Sequence, residues 1–145
     1  MARNQRDATY DHDLRLKDAG LVAADDIAEV DSADAILDLG AARFDGRVII
    51  DATAVEVASG DERYDVGLQF SDSATFASGV IAGPIFPLGD AAALVGADTD
   101  NGAGHYELPF CNEVNGTTYR YMRCQIDVAG TIATGVNFTA HVVQP

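Results

Sequence analysis

Strict alternation governs the centre of this chain. Tyr64, Val66, Leu68 and Phe70 alternate with Arg63, Asp65, Gly67 and Gln69. A period of two puts every large apolar side chain on one face of an extended strand. The pattern returns at Met122, Cys124, Ile126 and Val128, and again at Val136, Phe138, Ala140 and Val142. Helical spacing cannot gather such a set on one side, so these segments read as half-buried strands. Residues 47–57, dense in Val, Ile and Thr, add a further long strand; shorter ones are expected at 36–39, 79–82, 91–95 and 105–110.

Turn residues punctuate these runs at Asp45-Gly46, Ser59-Gly60-Asp61, Gly83-Pro84, Gly89-Asp90, residues 98–104, Asn115-Gly116 and Ala129-Gly130. Asn-Gly is the strongest hairpin signal among them, because a type I′ turn needs positive φ at both central residues. About eight strands at this spacing, with no convincing long helix, give an all-β fold, a two-sheet jelly-roll-like β-sandwich.

Residues 1–30 read differently. They are polar, rich in Asp and Ala, and lack sustained alternation. Residues 13–20 and 23–30 could each supply a turn or two of helix, with Asp25 and Asp26 at the start of the second, but neither stands alone. The expected division is an extended N-terminal arm over 1–30, ordering against a neighbour or remaining a loose tail, and a β-sandwich domain over 31–145.

Charge narrows the function. The chain of 145 residues carries 23 Asp+Glu against 9 Lys+Arg, a formal net charge of −14, and its one lysine is Lys17. Nucleic-acid binding depends on Lys and Arg displacing counterions from phosphates, so no nucleic-acid partner is expected. No apolar run approaches the roughly 20 residues of a membrane helix, and the densely charged start lacks a signal-peptide pattern; neither a membrane partner nor classical secretion is expected.

Chemical motifs are weak. Asp98-Thr99-Asp100-Asn101 resembles the opening of a calcium loop, but Gly102 and Pro109 stand where that loop needs further oxygen ligands, and a cation at Asp98 and Asp100 stays open. His12 lies between Asp11 and Asp13, while His105 and His141 lack a second histidine at ligand spacing and read as strand-face residues. Cys124 reads as a small buried hydrophobe, and a hairpin bridge to Cys111 stays open. With no nucleophile elbow or phosphate loop, the expectation is a protein that is not an enzyme and carries no cofactor and no metal. Tyr119, Tyr121 and Arg123 crowd the polar face of a strand, either as a contact patch or as braces for cross-strand neighbours.

The chain resembles the jelly-roll capsid cement, or decoration, proteins of tailed bacteriophages. The matching stretches are Leu16-Lys17-Asp18-Ala19-Gly20, Leu37-Asp38-Leu39-Gly40-Ala41-Ala42-Arg43 and Ser71-Asp72-Ser73-Ala74-Thr75-Phe76. Towards the C-terminus they are Tyr106-Glu107-Leu108-Pro109-Phe110, Asn112-Glu113, Tyr119-Arg120-Tyr121-Met122-Arg123 and Gly135-Val136-Asn137-Phe138-Thr139-Ala140. The resemblance implies a virion protein, made in the host cytoplasm, that sits on the outer capsid surface as a homotrimer and bridges subunits of the major capsid protein. The residues then expected to contact the capsid or a trimer mate are Leu14, Leu16, Leu21, Val22 and Ile27 in the arm, with Tyr119, Tyr121 and Arg123 on the strand face. The alternative is a receptor- or carbohydrate-binding β-sandwich module of a tail or virion surface; the absence of Trp leans against it. A metal enzyme built on two histidines and a carboxylate would need His105 and His141 to converge with an Asp.

Overall fold

The alternating segments pair into two antiparallel sheets whose apolar faces meet. A computed structural model describes residues 12–144. After a 3-10 turn at His12–Leu14 come β1 (Arg15–Lys17), β2 (Leu21–Val22), β3 (Asp26–Ile27), β4 (Glu29–Val30), β5 (Ala33–Asp34), β6 (Leu37–Asp38) and β7 (Asp45–Val55). The chain continues through β8 (Arg63–Ser71), β9 (Ile81–Gly89), β10 (Gly104–Cys111), β11 (Glu113–Val114), β12 (Thr117–Thr118), β13 (Tyr121–Ala129) and β14 (Val136–Val143).

The first sheet has the order β1-β14-β7-β10, with β2 also on β14; the second has the order β3-β13-β8-β9, with β6 also on β13. Successive principal strands change sheets, apart from the neighbours β8 and β9. This interleaving of the four strands in each of the two orders is the strand order of a jelly roll.

The core follows from the alternation. Tyr64, Val66, Phe70, Met122, Cys124, Ile126, Val136, Phe138 and Val142 are fully buried, together with Val48 and Ile50 of β7. The Tyr64 hydroxyl, enclosed with them, donates to the Glu56 carbonyl at 3.1 Å. Burial pushes the Cys124 thiol up to about 12 and the Tyr64 hydroxyl up to about 12. The unfolded chain releases these protons near the ordinary values of 9.0 and 10.0, so above pH 9 the folded state holds more protons at these two groups, and their contribution to stability falls as pH rises. Denaturant midpoints measured at pH 8 and pH 11 are expected to drop, and Cys124→Ala should shrink the drop.

Several local expectations are corrected. Residues 13–20 and 23–30 are not helical: after the 3-10 turn they run as short strands. Asp25 caps no helix; its carboxylate accepts the Val128 amide at 2.6 Å. The strand expected at 79–82 runs from Ile81 to Gly89, straight through Gly83-Pro84. Proline is tolerated because β9 pairs only with β8, and the register shifts between Gly67 and Gln69 to absorb the extra residue. Gly83 crosses so close to the core that a Cβ there would lie 2.6 Å from the Phe70 ring. Residues 91–95 form turns instead of a strand, and Asp45-Gly46 lies inside β7. The Asn115-Gly116 turn has the expected form, with φ of 51° and 80° between β11 and β12. Both cysteines are free.

The described part of the expected arm pairs with both sheets. β1 pairs with β14 and β3 pairs with β13, so residues 15–27 supply the outer strands of both sheets. Leu16 is completely buried in the core. Residues 1–11 lie outside the described residues.

Candidate interaction face

The outward side chains of the second sheet form the candidate site. Along β13 they are Tyr121, Arg123, Gln125 and Asp127, alternating with the buried Met122, Cys124 and Ile126. Pairing sets their neighbours in rungs. Gln125 lies beside Gly67 of β8 and Ile27 of β3, and Gly67 lies beside Ile85 of β9. Arg123 lies beside Gln69, which lies beside Ala82; Asp127 lies beside Asp65, which lies beside Pro87. Tyr121 sits between Ser71 and Asp38.

Gly67 has no side chain, which leaves a shallow depression of about 90 Å³ edged by Asp65, Gln69, Ala82, Ile85, Gln125 and Asp127. Ile85 beside it, on the edge strand β9, is 52% exposed.

Arg123 is held rigidly. Its Nε donates to Gln69 Oε1 at 2.8 Å, and its guanidinium lies 4.4 Å from the centre of the Phe76 ring. Gln69 in turn donates its amide to Gln125. Phe76 is buried and adopts φ of 55°, so a strained turn residue forms the platform for the arginine. Next to it, Arg120 grips Asp38 with two bonds of 2.8 and 2.9 Å and lies 5.4 Å from the Tyr121 ring. Those hydrogen bonds hold the Asp38 carboxyl down at about 2.

The eight expected contact residues divide. Ile27, Tyr121 and Arg123 come together on this face. Tyr119 does not join them: it precedes β13, packs half-buried against the core, and exchanges hydrogen bonds with the buried Asn112. Leu16 is inaccessible, and Leu14 and Val22 are partly buried against the core. Leu21 is 60% exposed and lines an open cavity of about 440 Å³ walled by residues 17–22, 26–29, 31 and 32. Ile85 was missed, because Gly83-Pro84 hid the strand whose alternation turns Phe86 inward and Ile85 outward.

Chemistry elsewhere is sparse. On the outer face of the first sheet His105 Nδ1 lies 2.6 Å from Asp51 Oδ1, and burial lowers the pKa of His141 nearby. The Asp100 carboxylate accepts the Ala91 amide at 2.8 Å, which ties the 98–104 loop to the turn after β9. Among the described residues no three His, Cys, Asp or Glu side chains converge as metal ligands. No family model matches the chain, and no characterised protein matches it in sequence.

Proposed function

We propose that this chain is a binding module with a structural role. More particularly, it is a capsid cement protein, which seats on the outer surface of a viral shell and bridges its major subunits. The observation that carries the reading is the second sheet's outer face. The surface there combines an exposed isoleucine with a tyrosine and an arginine locked in place by a glutamine and an aromatic ring, and tyrosine and arginine are residue types enriched at interaction hot spots. A rigid side chain loses little entropy on binding, so little of the contact energy is forfeited. The resemblance to decoration proteins supplies the shell as partner, and the acidic exterior suits a surface that must not trap nucleic acid.

The test has two parts. Quantitative mass spectrometry of purified source particles should find this chain at a simple ratio to the major capsid protein; a handful of copies would point to a tail or vertex module. The double variant Tyr121→Ala, Arg123→Ala should lower affinity for undecorated shells by about 1,000-fold, since two hot-spot truncations at about 2 kcal/mol each total about 4 kcal/mol. Unchanged affinity would remove this face from the reading.

A further inference from the structure

Glycine inside an inner strand weakens it, because it orders poorly and packs nothing, and it persists where something must come close. Among the described residues the strand glycines divide on that count. A Cβ at Gly46 would lie 2.9 Å from the Phe44 ring, at Gly83 2.6 Å from the Phe70 ring, and at Gly89 2.3 Å from the Glu62 carbonyl, so the fold itself excludes a side chain at each. Gly104 opens the edge strand β10. Gly67 differs from all of these. It lies inside β8, between β13 and β9, with φ outside the left-handed region. A Cβ there would make ordinary contacts, 3.4 Å from Ile85 Cγ1 and 3.7 Å from the Gln125 carbonyl. The bulge between β8 and β9 does not call for it, because the extra residue falls in β9. Folding alone leaves the missing side chain at Gly67 unexplained.

The depression it leaves has distinct walls. Ala82 and Ile85 of β9 line one side, Gln69 and Gln125 line another, and Asp65 and Asp127 stand on the rung at one end. A cavity of about 150 Å³ takes a benzene ring, so a hollow of about 90 Å³ seats a short aliphatic group and not an aromatic one. The other end belongs to Arg123. Its Nε can only donate, so Gln69 turns Oε1 towards it and donates its own amide to Gln125 Oε1. That relay leaves the Gln125 amide nitrogen as a further donor on the same wall. The five other described arginines each reach a carboxylate within 3.3 Å, whereas Arg123 has an amide and an aromatic ring in its place. The depression is therefore acidic at one end and rich in donors at the other.

We propose that the depression at Gly67 receives a short aliphatic side chain of the shell's major subunit, and that a carboxylate beside that side chain pairs with Arg123. The proposal rests on the shell reading of this face and names the chemistry the partner presents to it. Charge sets the direction of entry: the carboxylate is drawn to the Arg123 end and repelled by Asp127 at the other, so the reversed orientation is disfavoured. The inserted group also covers Ile85, which the isolated chain leaves half exposed. Glycine at position 67 thus gives up strand stability in exchange for a hole that only the bound state fills.

Gly67→Ala and Gly67→Val in the full chain test it, each measured in two ways. Alone in solution both should fold, with a thermal midpoint equal to that of the wild type or raised by about 2–4 °C, because a Cβ fits and strands favour side chains. On undecorated shells of the source virus, affinity should fall by about 10-fold for alanine and by about 100-fold or more for valine, whose branches occupy the depression. Arg123→Gln should lower affinity by about 30-fold and flatten its decline with salt, since a charge pair is lost. Shell binding by Gly67→Val equal to that of the wild type would overturn the proposal, as would a lowered midpoint in both glycine variants or an unchanged salt dependence in Arg123→Gln. In each of those cases a wild type that still binds shells leaves the shell reading standing. A wild type that binds no shells ends the shell reading itself, and the proposal with it.

Discussion

Deleting the chain through Val30 is expected to abolish cooperative folding, not merely to detach a tether. β1 and β3 are the outer strands of the two sheets, and the deletion strips them from β14 and β13. Leu16 and Ala28 leave the core, along with the partial cover of Leu14 and Val22. Burial of a leucine contributes about 1.5–3 kcal/mol, and the lost strand pairing and half-buried side chains bring the total to the order of 5–10 kcal/mol. That is comparable with the whole stability of a domain, about 5–15 kcal/mol. Urea titration of the truncated protein should therefore show no sigmoidal transition. The milder variant Leu16→Ala separates a strand from an arm: it should lower stability by about 2–5 kcal/mol in the isolated protein, where an arm residue would change nothing without its partner.

What was legible in the sequence follows from how each segment meets the core. β8, β13 and β14 are long, buried on one face and wet on the other, so alternation alone located them and also named Tyr121 and Arg123 as outward residues. β9 is an edge strand with a bulge, a place where glycine and proline are permitted, and the same residues that signal a turn elsewhere concealed it. Residues 12–30 were obscured by brevity. β1 spans three residues and β3 two, too few for a period to register, and the residue after Leu16 is a lysine that the pattern assigns to solvent. The β4–β5 turn was hidden as well, since Asp31 and Ser32 take φ of 53° and 65° without a glycine to announce it. For the candidate face, the spacing of Arg123, Gln125 and Asp127 is plain in the sequence. That Arg123 differs from the other described arginines in having an amide and an aromatic ring in place of a carboxylate becomes visible only in the structure.

Lys17 carries the other large expectation. The chain's only lysine is 5% exposed, and its ammonium donates to the carbonyls of Asp18 at 3.0 Å, Gly20 at 2.9 Å and Phe138 at 2.9 Å while lying 4.6 Å from the centre of the Phe138 ring. It thus clasps the turn after β1 to the middle of β14. Lys17→Ala should lower stability by about 3–5 kcal/mol. About 2–3 kcal/mol of that is the buried aliphatic stem, at about 0.8 kcal/mol per methylene, and about 1–3 kcal/mol is the Phe138 carbonyl left buried without a donor. The other two carbonyls are nearer the surface and regain water. Lys17→Met keeps the stem and should lose only about 1–3 kcal/mol, so the order of stability is wild type, then Met, then Ala. Burial lowers the Lys17 pKa from 10.5, an effect that Cys124, Asp18 and Asp26 only partly offset. As pH rises from that lowered value to 10.5, the unfolded chain holds a proton the folded chain has released. The Lys17 contribution to stability therefore grows with pH. The gap in unfolding free energy between wild type and Lys17→Met, measured by urea titration at pH 7 and at pH 10, should widen at the higher pH. A gap that narrowed would mean the ammonium is stabilised, not penalised, by its enclosure under β14.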